Sequence, residues 1–173
     1  MIILTTDRLV VRELDPGIHS EFVNELLNTP KFIKYIGDRG VRSAEQAADI
    51  IRDRYIRSYR ENGYGLYAVE RKTDSIPIGI CGFVKRDTLP EPDLGFAFLP
   101  GSEGHGFGFE SSRAILQYGR RTLGINTVLA ITSQDNEVSC KLLVKLGFQF
   151  IGLIEMPDAE KLRLYENRVN KTS

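Results

Sequence analysis

The hydrophobic rhythm of the chain changes once, near residue 106, and that change limits the possible folds more than any other feature. Upstream, the runs GLYAVERK (65–72), IPIGICGFVK (76–85) and DLGFAFL (93–99) are rich in β-branched and aromatic residues, and the turn-forming TDS at 73–75 and LPEP at 89–92 divide them. Short strands joined this closely pair antiparallel, so a three-stranded meander is expected. Downstream, apolar residues fall at helical spacing over 106–123, then in the continuous run VLAI at 128–131, then again at helical spacing over 137–146, with Gly147 as a stop. A strand that is apolar on both faces is covered on both, which sets helices on each side of a sheet.

The flanking segments extend the pattern. RLVVREL (8–14) alternates as a strand, and residues 16–28 carry Ile18, Phe22, Leu26 and Leu27 at helical spacing behind Pro16. A longer helix is expected from Ser43, a natural N-cap, to about residue 62, with Gly63 just beyond. Two closing strands are expected near 149–155 and 161–166. The order is β-α-α-β-β-β-α-β-α-β-β, an α/β mixed sheet. A length of 173 residues without repeat, linker or charge block suits a single domain, 1–173.

Composition removes several functions. The 23 basic and 23 acidic residues cancel, leaving no general field for a nucleic acid or an anionic membrane. The basic stretch IRDRYIRSYR (51–60) is the one local candidate for RNA, but Asp53 interrupts it and Ile51, Tyr55 and Tyr59 form a core-facing stripe, so Arg52, Arg54, Arg57 and Arg60 read as a solvated face. No apolar run approaches the ~20 residues of a membrane span and the N-terminus lacks a signal-peptide pattern, so a cytoplasmic protein is expected. Cys81 and Cys140 lack CxxC spacing and read as free thiols, and His19 and His105 are the only histidines, so neither a metal centre nor a Ser/His/Asp set is expected.

The switch point itself reads GSEGHGFGFESSRAIL (101–116), with Gly104, Gly106 and Gly108 at alternate positions in front of a helix. A helix N-terminus offers several N–H groups without partners and a partial positive charge. Glycines that permit positive φ and carry no Cβ let those groups converge on an anion, and phosphate oxygens fit such a cradle. The spacing is neither GxGxxG nor a Walker loop. A turn serving only to reverse the chain is the alternative.

With TDRLVVREL, IPIGICGF, DLGFAFLP, GFGFES and DNEVSCKLLVKLGF following one another from Thr5 to about Tyr165, the sequence resembles the GNAT superfamily of N-acetyltransferases, and in particular its RimJ/RimL-like branch. That superfamily's Q/R-x-x-G-x-G/A motif is matched at its two small positions by Gly106 and Gly108. The resemblance implies acetyl-coenzyme A as cosubstrate, with no metal. Its pyrophosphate would lie on the N–H groups of Gly104, His105, Gly106, Phe107 and Gly108. Its pantetheine arm would enter where the 93–99 strand splays from the 127–132 strand, pairing with Phe98 and Leu99 as a peptide pairs with a sheet edge. The motif's first position is Glu103, a departure that sets a carboxylate near the expected diphosphate unless it points to solvent. His105 is a possible phosphate donor.

Amide formation needs a neutral amine, a stabilised oxyanion and a proton for the departing thiolate. Asp93 at the start of the cleft strand is the chosen base, with Glu110 as competitor, although an acid in a first helical turn also serves the dipole. Backbone N–H groups near Phe98 suit the oxyanion. By the resemblance, Asn136 lies near the pantetheine and Ser139 near the sulfur, and no Tyr occurs in 125–154 to take the proton role. Both residues also read as an N-cap and a first-turn residue. The acceptor, a small amine or a protein N-terminus, is expected between the TPKFIKYIGDRG segment (29–40), with Phe32 and Tyr35, and the last two strands. A non-catalytic acyl-coenzyme A sensor of the same fold is the alternative function, and a monomer or homodimer is expected.

Overall fold

The computed structural model describes residues 1–157 and 160–169. Eight strands form one sheet in the order β1-β2-β3-β4-β5-β6-β8-β7. The strands are β1 (Ile2–Thr5), β2 (Leu9–Arg12), β3 (Leu66–Arg71), β4 (Pro77–Val84), β5 (Asp93–Phe98), β6 (Thr127–Thr132), β7 (Gln149–Ile154) and β8 (Leu162–Arg168). Every neighbouring pair is antiparallel except β5 and β6, which run parallel.

Period-2 alternation assigns the two sheet faces. Tyr67 and Val69 of β3 join Phe83 and Leu94 in a core closed by Ile115 and Leu116 of α5 (Phe107–Arg121) and Leu143 of α6 (Glu137–Lys145). Ala68, between them in sequence, faces the other core with Phe22 and Leu26 of α1 (Pro16–Leu27) and Ala47 of α3 (Ala44–Ile50). Helix α5 comes close to the sheet because a Cβ at Gly119 would stand 2.5 Å from the Phe83 ring. Both cysteines are buried free thiols.

The expected meander, the α5–β6–α6 succession and the two closing strands are present, and three differences stand out. Strand β1 was not anticipated; it exists because β2 supplies its ladder, Leu4 facing Val11 and Thr5 facing Val10. The 29–40 segment, for which no helix was expected, contains helix α2 (Pro30–Tyr35), capped by Thr29, whose Oγ1 accepts from Phe32 N–H at 3.4 Å. The long helix from Ser43 ends before Gly63 as expected but is not uniform. After α3 it widens into a π-helical segment, Ile51–Ile56, before resuming as α4 (Arg57–Asn62).

Candidate functional site

Strands β5 and β6 meet at one residue pair, Asp93 opposite Leu129, where Leu129 N–H donates to the Pro92 carbonyl at 2.9 Å. Beyond that vertex they diverge, because each follows its other neighbour: β5 pairs with β4 over its whole length and β6 with β8 over its whole length. A cavity of about 940 Å³ occupies the V and continues past α2 and the π-helical segment.

One arm of the cavity is the glycine loop. Gly104 and Gly106 have φ of +77° and +79°, a left-handed geometry that glycine adopts without strain, and Gly106 is the N-cap of α5 with no side chain capping the helix. Among the described residues, no acceptor is hydrogen-bonded to the N–H groups from Gly104 to Phe109. A Cβ on Gly104 would meet nothing, and one on Gly108 would lie 3.4 Å from Leu142 and 3.7 Å from the Phe98 ring, two residues that line the cavity. The geometry is a cradle of amides opening on a cavity.

The loop is fixed from outside by residues that sequence reasoning had not connected. Glu110 accepts from Thr6 Oγ1 at 2.6 Å and from Arg8 N at 3.0 Å, and its carboxylate meets Arg8 Nη2 at 2.7 Å. Arg8 also donates from Nη1 to the His105 carbonyl at 2.9 Å and lies 4.5 Å over the Phe107 ring. Burial pushes the Glu110 carboxyl up, but hydrogen bonds from Thr6 and Arg8 outweigh it and leave the pKa below its ordinary value. Glu110 is therefore an anchor of the loop, and its candidacy as a base is withdrawn. Glu103, the departure from the motif, pairs with Lys31 Nζ at 2.7 Å, so its charge is answered by α2.

The predicted contacts divide on inspection. Phe98, Gly104, Gly106, Phe107, Gly108, Asn136, Ser139 and Asp93 all line the cavity. Leu99 does not: its N–H donates to Ile78 and its carbonyl accepts from Ser102, both at 2.9 Å, so its backbone is already spent within the chain. That bond also sets the alternation along β5, directing the N–H groups of Phe96 and Phe98 away from β4 and into the V. The exposed His105 ring does not line the cavity and lies 5.7 Å from the Phe107 ring. On the sixth helix Asn136 is the N-cap, accepting from Ser139 N–H at 3.3 Å, while Ser139 Oγ has no partner among the described residues.

Asp93 stands at the vertex, 1% exposed, with Oδ1 accepting from Arg86 Nε at 2.9 Å. It is no solvated turn acid. Burial raises its pKa, and Arg86 opposes that shift without cancelling it.

Phe32 and Tyr35 line the far arm as expected, but no described residue of β7 or β8 does. Arg39, Arg54, Tyr55 and Arg86 stand there instead. Arg54 was read as part of a solvated face. The π-helical widening changes the angular spacing of residues 51–56, and Arg54 lines the cavity beside Tyr55.

A mixed sheet splayed beside a helix N-terminus lined with free amides is a cleft suited to an acyl carrier, and sequence comparison identifies the class. The acetyltransferase (GNAT) domain family matches residues 8–149, and the chain belongs to that family as an N-acetyltransferase. It is 29% identical over 153 residues to the uncharacterised N-acetyltransferase YoaA of Bacillus subtilis (strain 168), covering 88% of this chain and 85% of that protein. Its fold is shared with RimL, a ribosomal L7/L12 alpha-N-protein acetyltransferase solved with coenzyme A, at TM-score 0.84 and 17% identity over 98% of each chain. It is shared also with the microcin C7 self-immunity acetyltransferase MccE, solved with acetyl-CoA and AMP, at TM-score 0.76 and 15% identity over 95% and 94% of the two chains.

Proposed function

We propose that the protein transfers an acetyl group from acetyl-coenzyme A to a primary amine, by direct attack with both substrates bound, and that it belongs to the RimJ/RimL-like part of the family. The observation that carries this reading is the run of unpaired amides from Gly104 to Phe109 at one end of a cavity whose wall is a splayed strand pair. Those amides and the open space beside Gly104 suit a diphosphate. The unpaired N–H groups of Phe96 and Phe98 suit an amide-bearing arm laid along β5. Acetyl-coenzyme A, when bound, supplies an activated thioester.

The chain's own groups meet the remaining needs. Asp93 accepts the proton that the amine must lose, directly or through water, and its raised pKa makes it a better base than an ordinary aspartate. Of the two free N–H groups of β5, that of Phe96, nearer Asp93, is left to stabilise the oxyanion while that of Phe98 serves the arm. As the C–N bond forms, the C–S bond breaks and its electron pair leaves on sulfur, and the cavity-lining Ser139, whose Oγ has no partner among the described residues, is assigned to protonate it. A thiol pKa near ~8.5 makes that donation helpful rather than indispensable.

Release of free thiol from acetyl-coenzyme A, dependent on an added primary amine and matched by acetylated product, is the expected outcome. Tight binding of acetyl-coenzyme A with no turnover across amines and peptide N-termini would instead establish a sensor.

A further inference from the structure

Among the described residues, the far arm of the cavity holds more positive charge than its own acids neutralise. Arg39, Arg54 and Arg86 all line it, and of the described carboxylates that line the cavity only Asp93 is paired with one of them, Arg86. Among the described residues, Arg39 and Arg54 make no ion pair and no hydrogen bond. Arg39 feels its neighbours: burial lowers its pKa most, and the charges of Arg54 and Arg86 lower it further. The other acids lining the cavity lie on the cosubstrate side. Glu103 is held by Lys31, Asp135 pairs with Lys34 of α2 at 3.6 Å, and Glu137 opens α6.

An independent sign comes from Tyr55, which is 6% exposed, lines the same arm, and has a hydroxyl without a hydrogen-bond partner among the described residues. That oxygen retains some solvent accessibility, and Tyr55 lines the cavity. Arg54 and Arg39 are the charges acting on it. A guanidinium cannot shed its proton to escape burial, so two unpaired ones beside a phenol donor are completed by an anion from outside.

Resting on the acetyl-transfer reading, we propose that the acceptor is a small amine that carries an anionic group, a carboxylate or a phosphate, bound by Arg39, Arg54 and Tyr55 while the amine reaches toward Asp93. The arrangement also serves the chemistry. Positive charge around the acceptor disfavours the ammonium form, so the amine is more readily neutral when it meets the thioester. The same field turns away polyamines, which carry cations at both ends.

The test compares amines in matched pairs by thiol release: amino acids against their carboxamides for the carboxylate arm, and phosphoethanolamine against ethanolamine for the phosphate arm. A polyamine and a neutral peptide N-terminus complete the panel. In at least one pair, kcat/KM for the anionic member exceeds that of its neutral partner by about tenfold or more, the scale of one charge-assisted hydrogen bond. Arg54→Met and, separately, Arg39→Met bring that ratio toward one, chiefly through KM, whereas Arg57→Met on the exposed face of α4 leaves it unchanged. Inorganic phosphate and glutarate, titrated calorimetrically without any amine, bind the wild type and lose affinity in Arg54→Met. Equal kcat/KM within both pairs, a preference for the neutral peptide, or a ratio untouched by either substitution overturns the inference while leaving acetyl transfer intact. Arg54-dependent anion binding with no thiol release from any amine overturns the acetyl-transfer reading instead.

Discussion

Burial raises the Asp93 carboxyl above the ordinary aspartate value of 3.8, and the adjacent Arg86 guanidinium only partly restores it. A base must be ionised to act, so kcat/KM is expected to rise with pH through that raised pKa. The Asp93→Asn variant should lose this acid limb and about 100-fold in rate, within the range of general-base catalysis. Two acceptors of different amine pKa separate the causes: a limb that stays in place belongs to Asp93, and one that follows the amine contradicts the assignment. The stability effect has the opposite slope. A folded-state pKa above the unfolded one favours the fold at pH below 3.8 and loses that contribution as pH rises through the folded value. At this scale the sequence was partly legible. The cavity position of Asp93 could be expected because it begins the cleft strand, but those of its partner Arg86 and the other pocket arginines could not, since nothing in local spacing tells which arginine of a helix turns inward. Arg54 depends on a π-helical segment, and Arg39 on a loop whose path is set by contacts distant in sequence.

At the scale of elements, the glycine loop owes its position to the β1–β2 corner. Thr6 and Arg8 reach Glu110 across more than a hundred residues of sequence, and Arg8 reaches the His105 carbonyl from the same place. Glu110→Gln is expected to cost roughly 1 kcal/mol in denaturant unfolding, as for a charged hydrogen-bond partner that is only partly buried. Its depressed pKa gives a stabilising contribution that is present above the ordinary glutamate value of 4.5 and lost as pH falls through the folded one, and the variant should lose that acid dependence. Coenzyme A affinity should fall with it, because the loop amides lose their brace. An unchanged unfolding midpoint between pH 3 and 7 would refute the anchoring role. The strands and helices marked by their own turns and caps were readable: TDS, LPEP, Ser43, Gly63 and Gly147 all bound elements where expected. Strand β1 was not, because four residues acquire their conformation from β2. Helix α2 was passed over although Thr29 and Pro30 are a cap and first-turn pair, an available signal that its shortness obscured.

For the whole molecule, two long-range facts join in one cavity. The sheet splits because β5 and β6 each keep a full ladder with another neighbour, and the helix after β5 begins with amides that the chain leaves unpaired. Two ion pairs, Lys31 with Glu103 and Lys34 with Asp135, tie α2 to the elements on either side of the cleft, so the acceptor arm is held against the cosubstrate arm. Sequence landmarks pointed to the glycine arm because backbone groups at glycines form it, and glycines leave a trace in spacing. The far arm is lined by side chains from α2, a loop, the π-helical segment and the turn after β4, and leaves none. The most direct measurement is a calorimetric titration of coenzyme A into wild type and Gly108→Val, the variant whose backbone needs no left-handed geometry and whose added carbons enter the space between Phe98 and Leu142. A folded variant that binds at least about tenfold more weakly, a loss of roughly 1.4 kcal/mol, is the predicted result; a folded variant with undiminished affinity would contradict the amide cradle as the diphosphate site.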